Sequence, residues 1–279
     1  YEVPRTVQKE RLEIHWVNLF RLRKYISLEF GYDPLLVNWD QSPFHHNETG
    51  SQDKPTLCVR SDIAPVVEGK AESKKRWTAN LTTKSKFTAV AGGTMPPAEC
   101  MFKAETGARV NDRLQAHLHT GGFPKWFTVT VGPKGSYREG DIISFLQKHL
   151  ELWSEGRDWR ILMADDYSAH KTKNVWALCW SRGYILLIHG GGCTPVGQTV
   201  DTDLNEHVRR RYGNKESQLL IDKMRSGDNV PTLTCEECML LMLEVLSDPQ
   251  LHEAAAEGYK KVGQSVELLS LIHISEPTR

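Results

Sequence analysis

The chain has 279 residues, of which 39% are hydrophobic and 25% are charged, and its formal net charge is +0. These proportions indicate a soluble globular protein with one large domain or two small ones. A membrane-spanning protein is excluded, because no apolar run approaches the ~18 residues that cross a bilayer. No charged-then-apolar leader is present, so no secretory signal is expected. The balanced charge argues mildly against a strong stand-alone binder of DNA.

The two ends of the sequence carry their own signals. The chain begins at Tyr1 rather than at methionine, which indicates a fragment of a longer protein. The last stretch, LSLIHISEPTR at residues 269–279, resembles a translated sequencing adapter. We therefore expect residues 269–279 to contribute nothing to the fold.

The first elements in chain order are a long helix and a strand. Apolar residues recur at helical spacing through residues 5–30, and Pro34 follows the end of this pattern. Residues 35–39 are a short apolar run typical of a buried strand, with Asp40 at its end and Pro43 stopping it.

The middle of the chain predicts further strands. Residues 45–75 are polar and loop-like, typical of an insertion with a basic surface. Strand-like runs follow at residues 87–91 and 98–104, and residues 127–131 are a short strand or an extended segment over the core. We expect three adjacent antiparallel strands in this half of the chain.

The second half alternates helix and strand before it becomes wholly helical. Hydrophobic spacing predicts, in order, a helix at 141–153, a strand at 159–164, a helix at 171–180 and a strand at 184–189. From Asp201 onward the predicted helices are 201–213, 215–227, 234–248 and 249–263. This order favours an α/β fold with a mixed sheet, helices on both of its faces and a helical extension.

Three aspartates lie where apolar runs end. Asp40 follows LLVNW, Asp165 follows the strongly apolar ILMA, and Asp201 opens a helix after the glycine-rich loop beyond YILLI. Carboxylates at the ends of neighbouring strands can converge on one point, where they repel each other unless a divalent cation neutralises them. That arrangement suits metal-assisted cleavage of a phosphodiester.

The first two of these acids also have ordinary structural interpretations. Asp40 fits a turn aspartate that precedes a proline. Asp166 or Ser168 fits the N-cap of the next helix, which leaves Asp165 for a metal. Both interpretations stay open at the level of the sequence.

The third acid and a nearby histidine have alternatives as well. Asp201 fits the N-cap of the helix that it opens, and Asp203 competes with it for the cap and for the metal. His170 either orients a phosphate or a water or lines the start of a helix. Asp166, Asp203 and His170 are therefore alternates to the three acids.

Two basic stretches are candidates for contact with DNA phosphates. Lysine and arginine contacts to phosphates position a protein on a duplex. Each stretch is equally typical of a solvated face, so both interpretations stay open. The candidate residues are Lys74, Lys75, Arg76, Arg209, Arg210 and Arg211.

Histidine pairs are weak candidates for a metal site. His117 and His119 form an HxH pair, and His45 and His46 are adjacent. Neither pair has the nearby HxxxH or acidic partner that completes a site. A metallohydrolase that does not act on nucleic acid is therefore disfavoured.

Cysteine usage favours a reducing compartment. The six cysteines are scattered without a disulfide-like framework. Cys235 and Cys238 form a CxxC pair that fits half of a zinc site or one face of an amphipathic helix. A structural zinc site needs four ligands and no second pair is present, so the spacing favours the helix.

The ordered motifs resemble the DDE superfamily endonuclease domain of pogo-like and mariner-like transposases. NWDQSP is similar to that family's Asn-x-Asp-Glu/Gln-Ser/Thr strand end and carries Asp40. LMADDYSAH is similar to its hydrophobic-Asp-x-x-x-Ala-His pattern and carries Asp165 and His170. Between them, GGTMPPAECMFK resembles the family's strand-turn-strand with two prolines.

The third motif of the resemblance is TPVGQTVD. It is similar to a Thr-x-x-x-Gln-Pro-x-Asp loop, with Thr194, Gln198 and Asp201 in the matching places. Thr199 stands where the family has proline, so the loop is expected to sit differently. The resemblance covers residues 35–213.

The resemblance implies an RNase H-like fold and a two-metal nuclease. Asp40, Asp165 and Asp201 would hold two divalent cations, Mg²⁺ with Mn²⁺ as a substitute, and Asp40 would bridge them. The implied reaction is DNA cleavage and strand transfer. The implied partners are DNA and a second copy of the chain, and no membrane. The location would be the nucleus in a eukaryotic host and otherwise the cytoplasm or nucleoid.

The resemblance also implies a domain organisation and leaves one alternative. We expect a helical lead-in at 1–34 that ends a missing DNA-binding region, the catalytic domain at 35–213, and a helical extension at 214–268. The alternative is a domesticated or decayed transposase-derived protein that binds DNA or another protein without catalysis. The presence of all three acids favours the enzyme.

Overall fold

A computed structural model describes residues 5–45, 76–87, 95–104, 112–114, 116, 123–153, 159–191, 193, 197–228 and 231–265. Several expectations fall outside these residues. They concern the insertion up to residue 75, Lys74, Lys75, His46, His117, His119, Thr194 and residues 269–279.

The described elements alternate largely as the hydrophobic spacing predicts. The helices are α1 (Arg5–Phe30), α2 (Glu139–His149), α3 (Lys173–Ser181), α4 (Asn205–Arg225), α5 (Cys235–Leu246) and α6 (Pro249–Lys261). The strands are β1 (Leu35–His45), β2 (Arg76–Lys84), β3 (Ala98–Lys103), β4 (Phe127–Gly132), β5 (Arg160–Ala164) and β6 (Tyr184–Ile188). Short 3₁₀ turns lie at Leu150–Trp153 and Ser168–Lys171, and a π-helical turn at Val200–Leu204.

One six-stranded mixed sheet organises the fold. Its strand order is β4-β3-β2-β1-β5-β6. β1, β2 and β3 run antiparallel in succession, while β5 and β6 run parallel to β1, and β4 runs parallel to β3. A central antiparallel meander extended by two parallel strands is the RNase H-like arrangement. The expected α/β class is therefore confirmed.

Helices cover both faces of the sheet. On one face α2 and α3 pack on Val37, Trp39 and Leu162. On the other face α4, α5 and α6 pack on the β2–β3 half of the sheet, and α1 packs on Leu36 and Ile161. None of the described helices combines the length and the apolar character that crossing a bilayer needs.

The first strand is longer than its hydrophobic pattern predicts. β1 runs on to His45, and Pro43 lies inside it opposite Thr78 rather than stopping it. Beyond Asn38, however, only β2 is paired with β1 in the described part of the chain. Proline is tolerated there because the edge of β1 away from β2 carries no ladder hydrogen bond that a missing N–H would break.

The second strand was not predicted. β2 occupies residues 76–84, and of the strand predicted at 87–91 only Phe87, which follows the end of β2, lies within the described residues. The pattern failed because β2 buries polar side chains that the fold satisfies with hydrogen bonds. Thr78 Oγ1 donates to Gly135 O at 2.6 Å, and Thr82 Oγ1 donates to Pro97 O at 2.5 Å.

The helical extension also differs from prediction in one respect. α4 is a single helix of 21 residues that continues through Gly213, where two helices were expected. Helical glycine is unfavourable by only about 1 kcal/mol, which the packed face of a long helix outweighs.

The helix interpretation of the CxxC pair is confirmed. Thr234 caps α5 in a reciprocal capping box with Glu237, and Cys235 and Cys238 lie in its first turns. Burial raises the pKa of the Cys238 thiol to about 12, which disfavours the thiolate that zinc requires.

Candidate functional site

The register between β1 and β5 brings the first two acids to one level. Asn38 is paired with Met163 in the parallel ladder. Counting two residues on from each, 38 + 2 and 163 + 2, reaches Asp40 and Asp165. Neighbouring strands lie ~4.8 Å apart, so the two acids share one edge of the site.

A docked loop brings the third acid to the same edge. Gln198 Nε2 donates to Trp39 O at 3.0 Å, and Val200 N donates to Asn38 Oδ1 at 3.4 Å. These two bonds hold the start of the π-helical turn against the two residues of β1 that precede Asp40. Asp201 is the second residue of that turn.

The same loop is held from behind by the segment that follows α6. Gln264 Nε2 donates to Gly197 O at 2.5 Å, and Thr199 Oγ1 donates to Gln264 Oε1 at 3.3 Å. Arg23 of α1 in turn donates to Gln264 O at 2.9 Å. The position of Asp201 therefore depends on parts of the chain far from it in sequence.

Asp40 and Asp201 form a coupled carboxyl pair. Asp40 is only 8% exposed, and its pKa is raised from 3.8 to about 7. The main cause is burial, and the negative charge of Asp201 is the second. Burial also raises the pKa of Asp201, while hydrogen bonds from Asn205 and from Asp40 oppose that rise. The charge of Asp165 raises the pKa of both. With its pKa raised to about 7, Asp40 ionises as the pH passes neutral.

Asp165 is held by a buried histidine. His170 Nδ1 lies 2.7 Å from Asp165 Oδ1, and its Nε2 lies 3.3 Å from Gln41 Nε2. A carboxylate only accepts, so Nδ1 carries the proton and Nε2 accepts from the Gln41 amide. The ring is 1% exposed and packs on Trp39. His170 therefore lies behind Asp165 and does not face a ligand.

The alternate acids point elsewhere. Asp166 is 43% exposed on its side chain and accepts from Lys171 Nζ at 2.7 Å. Asp203 turns toward α6, where Lys261 Nζ lies 3.1 Å from it. Neither contacts the Asp40–Asp201 pair in the hydrogen bonds of the described residues.

The capping alternatives are not those observed. Thr172 caps α3, because its side chain accepts from Val175 N at 3.4 Å. Asp166 and Ser168 are therefore not its caps. Asp201 lies inside the π-helical turn and accepts from Asn205, so it is not an N-cap either.

The basic candidates separate into three kinds. Arg209 lies beside the acids: its charge lowers the pKa of Asp201, and its guanidinium stacks 4.7 Å above the Phe44 ring. Arg210 and Arg76 are exposed on the surface. Arg211 forms an ion pair with Asp248, the N-cap of α6, and so anchors one helix to another.

The pair fits a hard divalent cation by the chemistry of its donors. Carboxylate oxygens are the ligands that Mg²⁺ and Mn²⁺ prefer. A cation bound between Asp40 and Asp201 would neutralise both carboxylates. Among the described residues, no three His, Cys, Asp or Glu side chains are arranged to hold a metal as they stand. The Asp165 carboxylate lies against His170.

Sequence reasoning missed three residues that build this site. Asn205 contacts two of the acids, Asn38 docks the loop and Gln264 holds it from behind. The spacing of four from Asp201 to Asn205 is a signal that could have been found, because it is one helical turn. Gln264 carries no such signal, since only the folded chain brings it near.

Comparison with known proteins gives likenesses of shape only. No protein-family model matches the chain, and no curated protein matches it. The Mos1 strand transfer complex has a TM-score of 0.44 at 11% identity, covering 96% of this chain and 64% of that chain. The mariner Mos1 paired end complex with Mg has a TM-score of 0.45 at 11% identity, covering 96% and 65%.

A third solved structure is similar over its whole length. The catalytic domain of Mos1 mariner transposase has a TM-score of 0.36 at 12% identity, covering 96% of this chain and 98% of that chain. The chain thus spans less than two thirds of the transposase in the complexes and nearly all of the isolated domain. Because these TM-scores lie below 0.5, the fold class is assigned from the observed sheet order. The candidate site is assigned from the contacts of its acids.

Proposed function

We propose that this chain carries a DDE transposase-type endonuclease domain of the mariner-like and pogo-like kind. Its reaction is metal-dependent cleavage of DNA phosphodiesters followed by strand transfer. The observation that supports this most directly is the convergence of Asp40, Asp165 and Asp201, three acids from distant parts of the chain, at one edge of the sheet. The ordered motifs around the three acids support the same family.

In this proposal Asp40, Asp165 and Asp201 would hold two divalent cations. Such cations, when bound, activate water or a 3′-hydroxyl and stabilise the leaving oxygen in an in-line displacement. Asp40 gives up its proton when it serves as a ligand. To join them, Asp165 would have to turn its carboxylate from His170 toward the pair.

DNA is the proposed partner, and the phosphate contacts lie beside the acids. Arg209 is the best placed cation, because it lies next to Asp201 and is fixed by donation to Pro43 O at 2.7 Å. Arg76 starts β2 opposite His45, the last residue of β1. We assign both to the DNA-facing side and Arg211 to the structure of the helical extension.

The test is nicking of supercoiled plasmid in Mg²⁺ or Mn²⁺, with metal binding measured by calorimetry on the same samples. The wild-type chain should nick, and EDTA should abolish nicking. Asp40→Asn and Asp165→Ala should each lower the rate by about a hundredfold or more, because each removes a metal ligand. Asp166→Asn is the matched control and should nick like the wild type.

Two outcomes count against the proposal. A folded wild-type chain that binds no metal and nicks nothing would favour a domesticated or decayed protein that binds without catalysis. Nicking that survives Asp165→Ala would assign the activity to another site or to a contaminant. Metal binding without nicking would instead direct the search to the DNA-binding region that the family places before this domain.

A further inference from the structure

Asn205 contacts both acids of the coupled pair. It opens α4 four residues after Asp201, so the two side chains share one helix face. Asn205 Nδ2 donates to Asp201 Oδ1 at 2.7 Å. The same nitrogen donates to Asp40 Oδ2 at 3.3 Å, although Asp40 lies 165 residues earlier in the chain. One amide group thus joins acids from two separate elements.

An amide suits this position because it donates without carrying charge. Its nitrogen has two hydrogens, one for each carboxylate. A lysine or arginine would also donate, but its positive charge would compete with a cation for the same two acids. The neutral amide holds the carboxylates close together and leaves their negative charge available.

The other end of the amide indicates that packing alone does not explain the residue. Asn205 is 7% exposed, and its Oδ1 has no hydrogen-bond partner among the described residues. A buried oxygen without a partner is unfavourable, and an apolar side chain of similar shape would avoid that loss. The two bonds from Nδ2 are the contacts that offset it.

We propose that Asn205 is a positioning residue that clamps Asp40 and Asp201 into a preformed cation-binding pair. This rests on the proposed function, in which those two acids hold a divalent cation. Asn205 acts through the acids and contacts neither DNA nor the reacting atoms. Its loss should therefore weaken metal binding before it affects anything else.

The first test measures Mn²⁺ affinity by calorimetry on the wild type, Asn205→Ala, Asn214→Ala and Asp40→Asn. Asn214→Ala is the matched control, because it makes the same substitution on an exposed position of the same helix. Asn205→Ala should lower Mn²⁺ affinity by about 10- to 100-fold, the usual effect of removing a group that orients metal ligands. Asn214→Ala should bind as the wild type does. Circular dichroism establishes that each variant is folded.

The outcomes separate the clamp from the function on which it rests. If Asn205→Ala binds Mn²⁺ like the wild type while Asp40→Asn has lost binding, the clamp is overturned and the metal site stands. If the folded wild type binds no Mn²⁺, the proposed function fails, and the clamp fails with it.

A second measurement needs no folded alanine variant. In ¹⁵N-labelled wild type, the side-chain amide signal of Asn205 is identified by its absence from the spectrum of Asn205→Asp. On titration with diamagnetic Mg²⁺ this signal should shift and saturate with the affinity that calorimetry gives for Mg²⁺. An amide signal that stays unmoved while Mg²⁺ binds would refute the clamp.

Discussion

At the scale of single residues, the central feature is a buried carboxyl whose pKa is raised toward neutral pH. Asp40 is buried beside Asp201, and its pKa is raised from 3.8 to about 7. The protonated form is the one that the metal-free fold favours. The contribution of Asp40 to the free energy of unfolding is therefore complete below about pH 4, and it is lost as the pH rises through about 7.

We predict that the metal-free protein loses stability between about pH 4 and about pH 7 through this group, because in that range folded Asp40 holds a proton that the unfolded chain has released. Urea unfolding in EDTA at several pH values measures the effect. Asp40→Asn cannot ionise and should flatten the decline. The control Asp166→Asn, whose acid is exposed and paired with Lys171, should leave it in place. An Asp40→Asn profile parallel to the wild type would contradict the assignment.

At the scale of elements, the turn that carries Asp201 is fixed by a close approach of α6. A Cβ added at Gly258 would lie 2.5 Å from Asp203 Oδ2 and 2.8 Å from Thr199 Cγ2. These two residues flank Asp201 by two positions on either side. The absence of a side chain at Gly258 therefore lets α6 and the π-helical turn pack together.

We predict that Gly258→Ala destabilises the protein by roughly 1–3 kcal/mol, because the turn must move to admit the methyl group. It should also weaken Mn²⁺ binding, since Asp201 moves with the turn. Gly213→Ala, within α4, is the matched control: nothing lies within 4 Å of its Cβ. That substitution should stabilise by roughly 0.5–1 kcal/mol through helix propensity. Thermal unfolding of both variants measures the stability, and calorimetry measures Mn²⁺ binding. Equal effects of the two substitutions would contradict the prediction.

Elements with apolar periodicity could be predicted from sequence, and those that bury polar groups could not. β5 and β6 are apolar runs and lie within a residue or so of their predicted bounds. β2 was not predicted because Thr78, Asn80 and Thr82 are buried with hydrogen bonds rather than by hydrophobicity. A single helix through Gly213 was missed because glycine indicates a break only locally.

The candidate site shows the same division. Asp40, Asp165 and Asp201 could be proposed as candidates from the sequence because each follows an apolar run in an ordered set of motifs. Their distinction from Asp166 and Asp203 could not be predicted, since neighbouring acids differ only in the direction that the fold gives their side chains. Gln264 could not be found at all, because its contacts with Gly197 and Thr199 span more than sixty residues.

At the scale of the whole molecule, α1 is joined to the site by buried groups. The His15 ring of α1 stacks on His189 with ring centroids 4.0 Å apart. His189 Nε2 lies 3.2 Å from Asn38 Nδ2, next to the docked loop. Burial lowers the pKa of His15 to about 4 and lowers that of His189 well below its usual range. Both rings are therefore neutral in the folded protein at neutral pH.

We predict that acid lowers the stability of the folded protein through these two stacked histidines. The unfolded chain takes up protons below about pH 6.5 and the folded chain does not, so stability falls as the pH drops from 6.5 toward 4. His15→Phe keeps a ring in the stack without a titrating group and should lose less stability over that range than the wild type. His207→Phe, on the surface of α4, is the control. Urea unfolding at pH 7.5 and 5.0 gives the differences, and identical losses in His15→Phe and wild type would contradict the prediction.

The bond from Gln264 to the loop before Asp201 has a consequence for synthesis. The acids enter the growing chain at positions 40, 165 and 201, but the residue that holds their loop in place is made only at position 264. A ribosome-bound chain that has exposed all three acids still lacks that support. The acid cluster therefore gains this support only after translation has passed α6, so in a half-made chain the loop before Asp201 is not yet held from behind.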